Sequence, residues 1–143
     1  MQTPEVGKSS KGYNFGALTE KIIGAAIEVH RELGPGFQEV VYQRALAVEM
    51  QAAGLDFARE EKVPVYYKGQ HIDTRRVDFV VGDCIVEIKA RSELLREDFV
   101  QTLSYLKASG YPLALLINFG AEKIQIKRFV GKPNVAERSH GVE

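Results

Sequence analysis

Asp78 and Glu87 are the residues whose types and spacing best suit chemistry. Gly82-Asp83 lies between them, a dipeptide that fits a two-residue hairpin turn of type II′. Counting outward from that turn, Val81 faces Cys84, Val80 faces Ile85, Phe79 faces Val86 and Asp78 faces Glu87. Arg76 then faces Lys89. Alternation along a strand puts Val77, Phe79, Val81, Cys84, Val86 and Ile88 on the expected core face. Arg76, Asp78, Glu87 and Lys89 share the other face with Val80 and Ile85. Two carboxylates directly opposite each other repel, so something must offset them. Lys89 is one answer. A divalent cation is another, since hard cations take oxygen ligands. Such a cation lowers the pKa of a bound water and stabilises charge on a phosphate. Lys89 could orient or deprotonate that water, or neutralise the transition state. The same residues also make an ordinary solvated strand face, and a one-residue slip would part the acids. Spacing alone leaves both readings open.

The elements around the pair follow from periodicity. Leu18, Ile22, Ala25, Ala26, Val29 and Leu33 recur at helical spacing, and Gly34-Pro35-Gly36 ends that helix. A second helix is expected over about 38–53, stopped by Gly54. The period then becomes two over 62–68, 72–81 and 84–90, with turns at Lys68-Gly69 and Gly82-Asp83. A third helix is expected over about 96–109, a buried strand over 113–119 and a last strand over 123–130. The order is ααβββαββ. The third helix is long enough for a right-handed crossover, which makes the strands on either side of it parallel. The expected fold is α/β, a mixed central sheet flanked by helices. Residues 16–130 form one domain, between arms over 1–15 and 131–143.

Composition narrows the function. Hydrophobic residues are 45% and charged residues 27%, enough for a real core. Nothing approaches the roughly 20 apolar residues that span a bilayer, and no signal peptide is visible. One cysteine, Cys84, excludes an internal disulfide and a Cys-based zinc site. The expected location is cytoplasmic. Nineteen basic and nineteen acidic residues balance to zero formal charge, which argues against a protein that coats nucleic acid electrostatically.

Four motifs in order carry a resemblance. Asp78, eight residues, then Glu87-Ile88-Lys89 resembles the D…(D/E)-x-K signature of the PD-(D/E)XK nuclease superfamily. The order αβββαβ resembles that fold's core, here with an extra N-terminal helix and a C-terminal strand. Gln101 and Tyr105 match the QxxxY motif of its RecB-like branches. Gly36, Glu39 and Tyr42 match the motif of the GxxExxY family, and the flanking LTEKIIGAAIEVHRELGPGF and LLINFG fit that family too. Val77 stands where the superfamily's name implies Pro.

The resemblance implies a nuclease that hydrolyses phosphodiester bonds, with DNA expected before RNA. Asp78 and Glu87 would bind Mg²⁺ or Mn²⁺, helped by Glu39 and the backbone carbonyl of Ile88. Lys89 would serve the water or the transition state, supported by Gln101. Glu39 would otherwise only complement the dipole of its helix. Tyr42 could touch a phosphate or base, or seal helix to sheet. Gln101 and Tyr105 share a helix face that can look back at the acids. Arg76 and Arg91 are candidate phosphate contacts. A small neutral domain holds DNA poorly, so a homodimer could be needed to complete the groove. The alternative is a catalytically silent nucleic-acid-binding or protein-interaction module. His30, His71, His140 and Cys84 read as bystanders.

Overall fold

The computed structural model describes residues 15–131. The arms expected over 1–15 and 131–143 lie outside it, apart from Phe15 and Gly131. Eight elements follow in order: α1 (Phe15–Leu33), α2 (Glu39–Ala52), β1 (Ala58–Tyr67), β2 (Gln70–Val81), β3 (Cys84–Lys89), α3 (Arg96–Ser109), β4 (Leu113–Asn118) and β5 (Gln125–Val130). The strands form one mixed sheet in sequence order, antiparallel except for β3 against β4. The crossover through α3 therefore makes the parallel pair that the sequence implies.

Each face of the sheet has its own core. Ile22, Ala26 and Val29 of α1 and Tyr42, Leu46 and Met50 of α2 pack on Phe79, Val86, Ile88, Leu115 and Ile117. Leu106 of α3 packs with Val63, Val77, Ile85, Ala114 and Leu116 on the other face. Both faces of β4 are covered, which is why it reads as an apolar run as far as Asn118, whereas β3 is apolar only until Glu87 and Lys89.

Turn chemistry sets the registers. Gly82 has φ 58 while Asp83 keeps a negative φ, as a type II′ turn requires. The pairs Val81–Cys84, Val80–Ile85 and Phe79–Val86 are those the turn dictates. Lys68 and Gly69 both take positive φ, 49 and 79, a type I′ hairpin.

The loop after β4 supports the end of β3. Phe119 N–H donates to the Lys89 carbonyl (2.9 Å). A Cβ on Gly120 would lie 2.5 Å from backbone atoms of Ala90 and Arg91. Backbone cannot yield as a side chain end can. Gly120→Ala is expected to cost about 1–3 kcal/mol, read as a lower denaturant midpoint at unchanged slope. An unchanged midpoint would mean that this loop moves freely.

Candidate active site

β2 and β3 part at the acidic pair. Their ladder stops at Phe79–Val86, so the hydrogen-bonding edge of Ile88 has no strand opposite it. The Asp78 carboxylate fills the gap, accepting the Ile88 N–H at Oδ2 (2.8 Å). A residue's N–H and C=O point the same way in a strand, so the Ile88 carbonyl also faces this fork. On the α2 side, Gln43 donates its amide to Asp78 Oδ1 (2.8 Å) and accepts from Arg59 (3.1 Å). Two neutral or charged-partner hydrogen bonds thus fix a carboxylate at the mouth of the fork.

Glu87 points to the α3 side and is 8% exposed. Arg75 donates to its Oε2 at 2.6 Å. Burial pushes the Glu87 carboxyl up to about 7, opposed by Arg75 and reinforced by the charge and hydrogen bond of Asp78. Arg75 in turn lies 4.4 Å over the Tyr105 ring. Tyr105→Leu removes that cation–π contact and is expected to cost about 0.5–2 kcal/mol. Chemical denaturation of the variant beside Tyr105→Phe checks it; equal losses in both would assign the effect to the hydroxyl instead.

The pairing counted from the sequence is corrected at this site: Asp78–Glu87 and Arg76–Lys89 are not cross-strand pairs, because the ladder ends before them. Arg76 does not share a face with the acids; it turns out to solvent and meets Glu60 at 3.5 Å. The cause lies at the fork. Ala58, Arg59 and Glu61 pair with Val80, Phe79 and Val77, but the Glu60–Asp78 step is missing and Glu60 has φ 49. The alternation changes phase there. Val77 consequently packs on the α3 side while Phe79 packs on the α1–α2 side. Arg75 takes the place that simple counting assigns to Arg76.

The GxxExxY residues separate into different tasks. Tyr42 is fully buried and stacks on Phe119 at 4.9 Å. Its hydroxyl donates to the Gly34 carbonyl (2.6 Å) and accepts the Phe37 N–H (3.2 Å). No face remains for a phosphate or base, so Tyr42 seals the Gly34–Phe37 loop to the sheet. Glu39 is exposed at the start of α2, one turn from Gln43. Among the described residues no group of three His, Cys, Asp or Glu comes close enough to hold an ion. Glu39 is therefore not gathered with Asp78 and Glu87 as the expected third acid.

Lys89 lies at the end of β3 with its ammonium 3.9 Å from Asp98. Arg91 is 39% exposed at its side chain and is also held by Asp98, at 3.0 and 3.1 Å. Gln101 is exposed on α3 between Asp98 and Tyr105 by helical spacing. His30 meets the Ala121 carbonyl at 2.9 Å, and burial raises the Cys84 thiol to about 12. Both are structural.

Sequence reading missed Gln43, Asp98 and the role of Arg75. Gln43 carried a signal: it interrupts the buried stripe that runs to Leu46 and Met50. Asp98 showed only as an acid in a helix's first turn.

A five-stranded mixed sheet between helices, with an aspartate at a strand fork and E-x-K on the next strand, defines a nuclease-type α/β domain. The family model for the PD-(D/E)XK nuclease superfamily matches residues 16–129, and the chain belongs to that superfamily. A search of curated proteins finds no match. Members of the superfamily are generally nucleases and typically use divalent metals. Among the described residues no helix is long and apolar enough to cross a membrane.

Proposed function

We propose that this protein is a divalent-metal-dependent nuclease that hydrolyses phosphodiester bonds, in DNA before RNA. The observation that carries the reading is the fork: two carboxylates and a backbone carbonyl edge lie where two strands separate, with Lys89 at the end of the same strand. The donor set fits a hard cation, being oxygen only and jointly short of positive charge. Asp78, Glu87 and the Ile88 carbonyl would hold it, and when bound it supplies Lewis-acid activation of water and phosphate. Gln43 fixes Asp78, and Arg75 fixes Glu87. Lys89 would supply a positive charge beside the phosphate, and Gln101 would support it or the substrate. Arg91, half-buried beside Asp98, would contact a flanking phosphate. The motifs Gly36–Glu39–Tyr42 and Gln101–Tyr105 support a finer membership, in the GxxExxY family of the QxxxY branch.

The test is direct. Wild type is incubated with circular and linear, single- and double-stranded DNA and RNA, in Mg²⁺, Mn²⁺ or EDTA. Metal-dependent cleavage of a DNA substrate is expected. Cleavage that persists in EDTA would sink the metal mechanism. A second reading, a binding module without turnover, draws on two observations: among the described residues the acids gather no third carboxylate, and Arg75 already pairs with Glu87. It predicts nucleic-acid binding that is indifferent to metal.

A further inference from the structure

Asp98 is a buried carboxylate that the nuclease reading leaves without a task. It is 2% exposed, in the first turn of α3. Oδ2 accepts the Leu95 N–H (2.9 Å) and faces Arg91 Nε (3.0 Å). Oδ1 accepts from the Arg91 terminal nitrogen (3.1 Å) and lies 3.9 Å from Lys89 Nζ. The anchor is rigid. Asn118, fully buried on β4, accepts the Arg91 N–H and donates to the Arg91 carbonyl, each at 2.9 Å. A cap needs one oxygen and one hydrogen bond, yet this carboxylate also gathers two cations from the end of β3.

The consequence concerns Lys89. Glu87 and Lys89 are two apart on one strand face, so the lysine's flexible stem can carry its charge toward either acid. Lys89 and Glu87 attract each other. Without Asp98 the ammonium would settle on the Asp78–Glu87 pair, the ordinary ion pair for a half-buried lysine. That position is the one a divalent cation needs.

We propose that Asp98 is a positioning residue that holds Lys89 away from Asp78 and Glu87, so that the lysine does not join Arg75 in competing with a metal ion for the pair. The inference rests on the metal reading above. It makes the lysine available beside the site without letting it compete for the site.

Titration calorimetry with Mn²⁺, without nucleic acid, tests it in four proteins: wild type, Lys89→Met, Asp98→Asn and the double variant. Asp98→Asn keeps a carbonyl oxygen for the Leu95 N–H, so the α3 cap survives. Asp98→Asn is expected to weaken Mn²⁺ binding about tenfold. Lys89→Met is expected to shift affinity about twofold or less beside Asp98, and to tighten it about tenfold in the Asp98→Asn background. That coupling is the readout, because loss of one charge alone would act equally in both backgrounds. Equal shifts in both overturn the proposal and leave the metal reading standing. A wild type that binds no Mn²⁺ overturns both. Asp98→Ser, which can also cap, repeats the cycle if the asparagine variant melts too low to titrate.

Discussion

Asp78→Ala is expected to cleave about 10³-fold more slowly than wild type, about 4 kcal/mol of barrier. The size follows from what Asp78 touches. It is one of two acids at the fork and the acceptor for the Ile88 N–H. Losing it would remove one of the oxygens proposed to hold the metal, and it frees the edge of β3 at the residue next to Lys89. It also leaves the Ile88 N–H and the Gln43 amide without their acceptor. Each such buried loss costs roughly 1–3 kcal/mol, so a lower Tm is expected as well. Rates are therefore compared at a temperature where circular dichroism shows both proteins folded. Asp78→Asn separates the effects, because its amide oxygen can still accept the Ile88 N–H. Loss of cleavage with most of the stability kept is expected there. Cleavage near the wild-type rate in a folded Asp78→Ala would remove Asp78 from the chemistry.

Glu87→Gln is expected to do the reverse to stability: in EDTA at pH 8 it should melt above wild type. The Glu87 carboxyl is raised to about 7 in the folded chain, chiefly by burial. An unfolded glutamate titrates near 4.3. Between those values the folded state binds the extra proton, so wild-type stability falls as pH rises from about 4.3 to about 7 and then levels. Glutamine cannot ionise and escapes that loss, while its carbonyl still accepts from Arg75. The gain at pH 8 is expected to be about 1–3 kcal/mol, below the full linkage value because Arg75 loses a charged partner. The gap should close toward pH 4. Added Mn²⁺ should stabilise wild type and not the variant. A variant that melts lower at every pH would mean that Arg75 and Lys89 already balance the pair. The same repulsion predicts that Asp78→Asn lowers the Glu87 midpoint, readable by carboxyl NMR.

Much of the architecture was legible because it depends on local chemistry. Of the five cross-strand pairs counted outward from the Gly82-Asp83 turn, the three nearest the turn occur, while Asp78–Glu87 and Arg76–Lys89 do not. Periods of 3.6 and 2 locate the helices and strands, and the length of α3 demands the parallel β3–β4 pair. The motifs brought Asp78, Glu87 and Lys89 to one region. What misled was the assumption that alternation runs unbroken along β2. Glu60 and Asp78 break it together, and no residue at either position announces a backbone with φ 49. Tyr42 stayed open between a ligand contact and a seal for another reason. A motif tyrosine reads as functional from type alone, whereas its saturated hydroxyl and stacked ring are contacts with residues eight and seventy-seven positions away.

By itself, then, the amino-acid sequence determined the order of elements, the turn that brings two acids together and the superfamily to which they belong. These depend on periodicity and on the backbone preferences of a few glycines, which act between near neighbours in the chain. Only the tertiary structure decided which cations face which acids. Arg75 rather than Arg76 reaches Glu87, Gln43 holds Asp78, and Asp98 gathers Lys89 and Arg91. Those pairings join α2, β2, β3 and α3 through buried contacts. They depend on where strands fork and on which side of the sheet each helix lies.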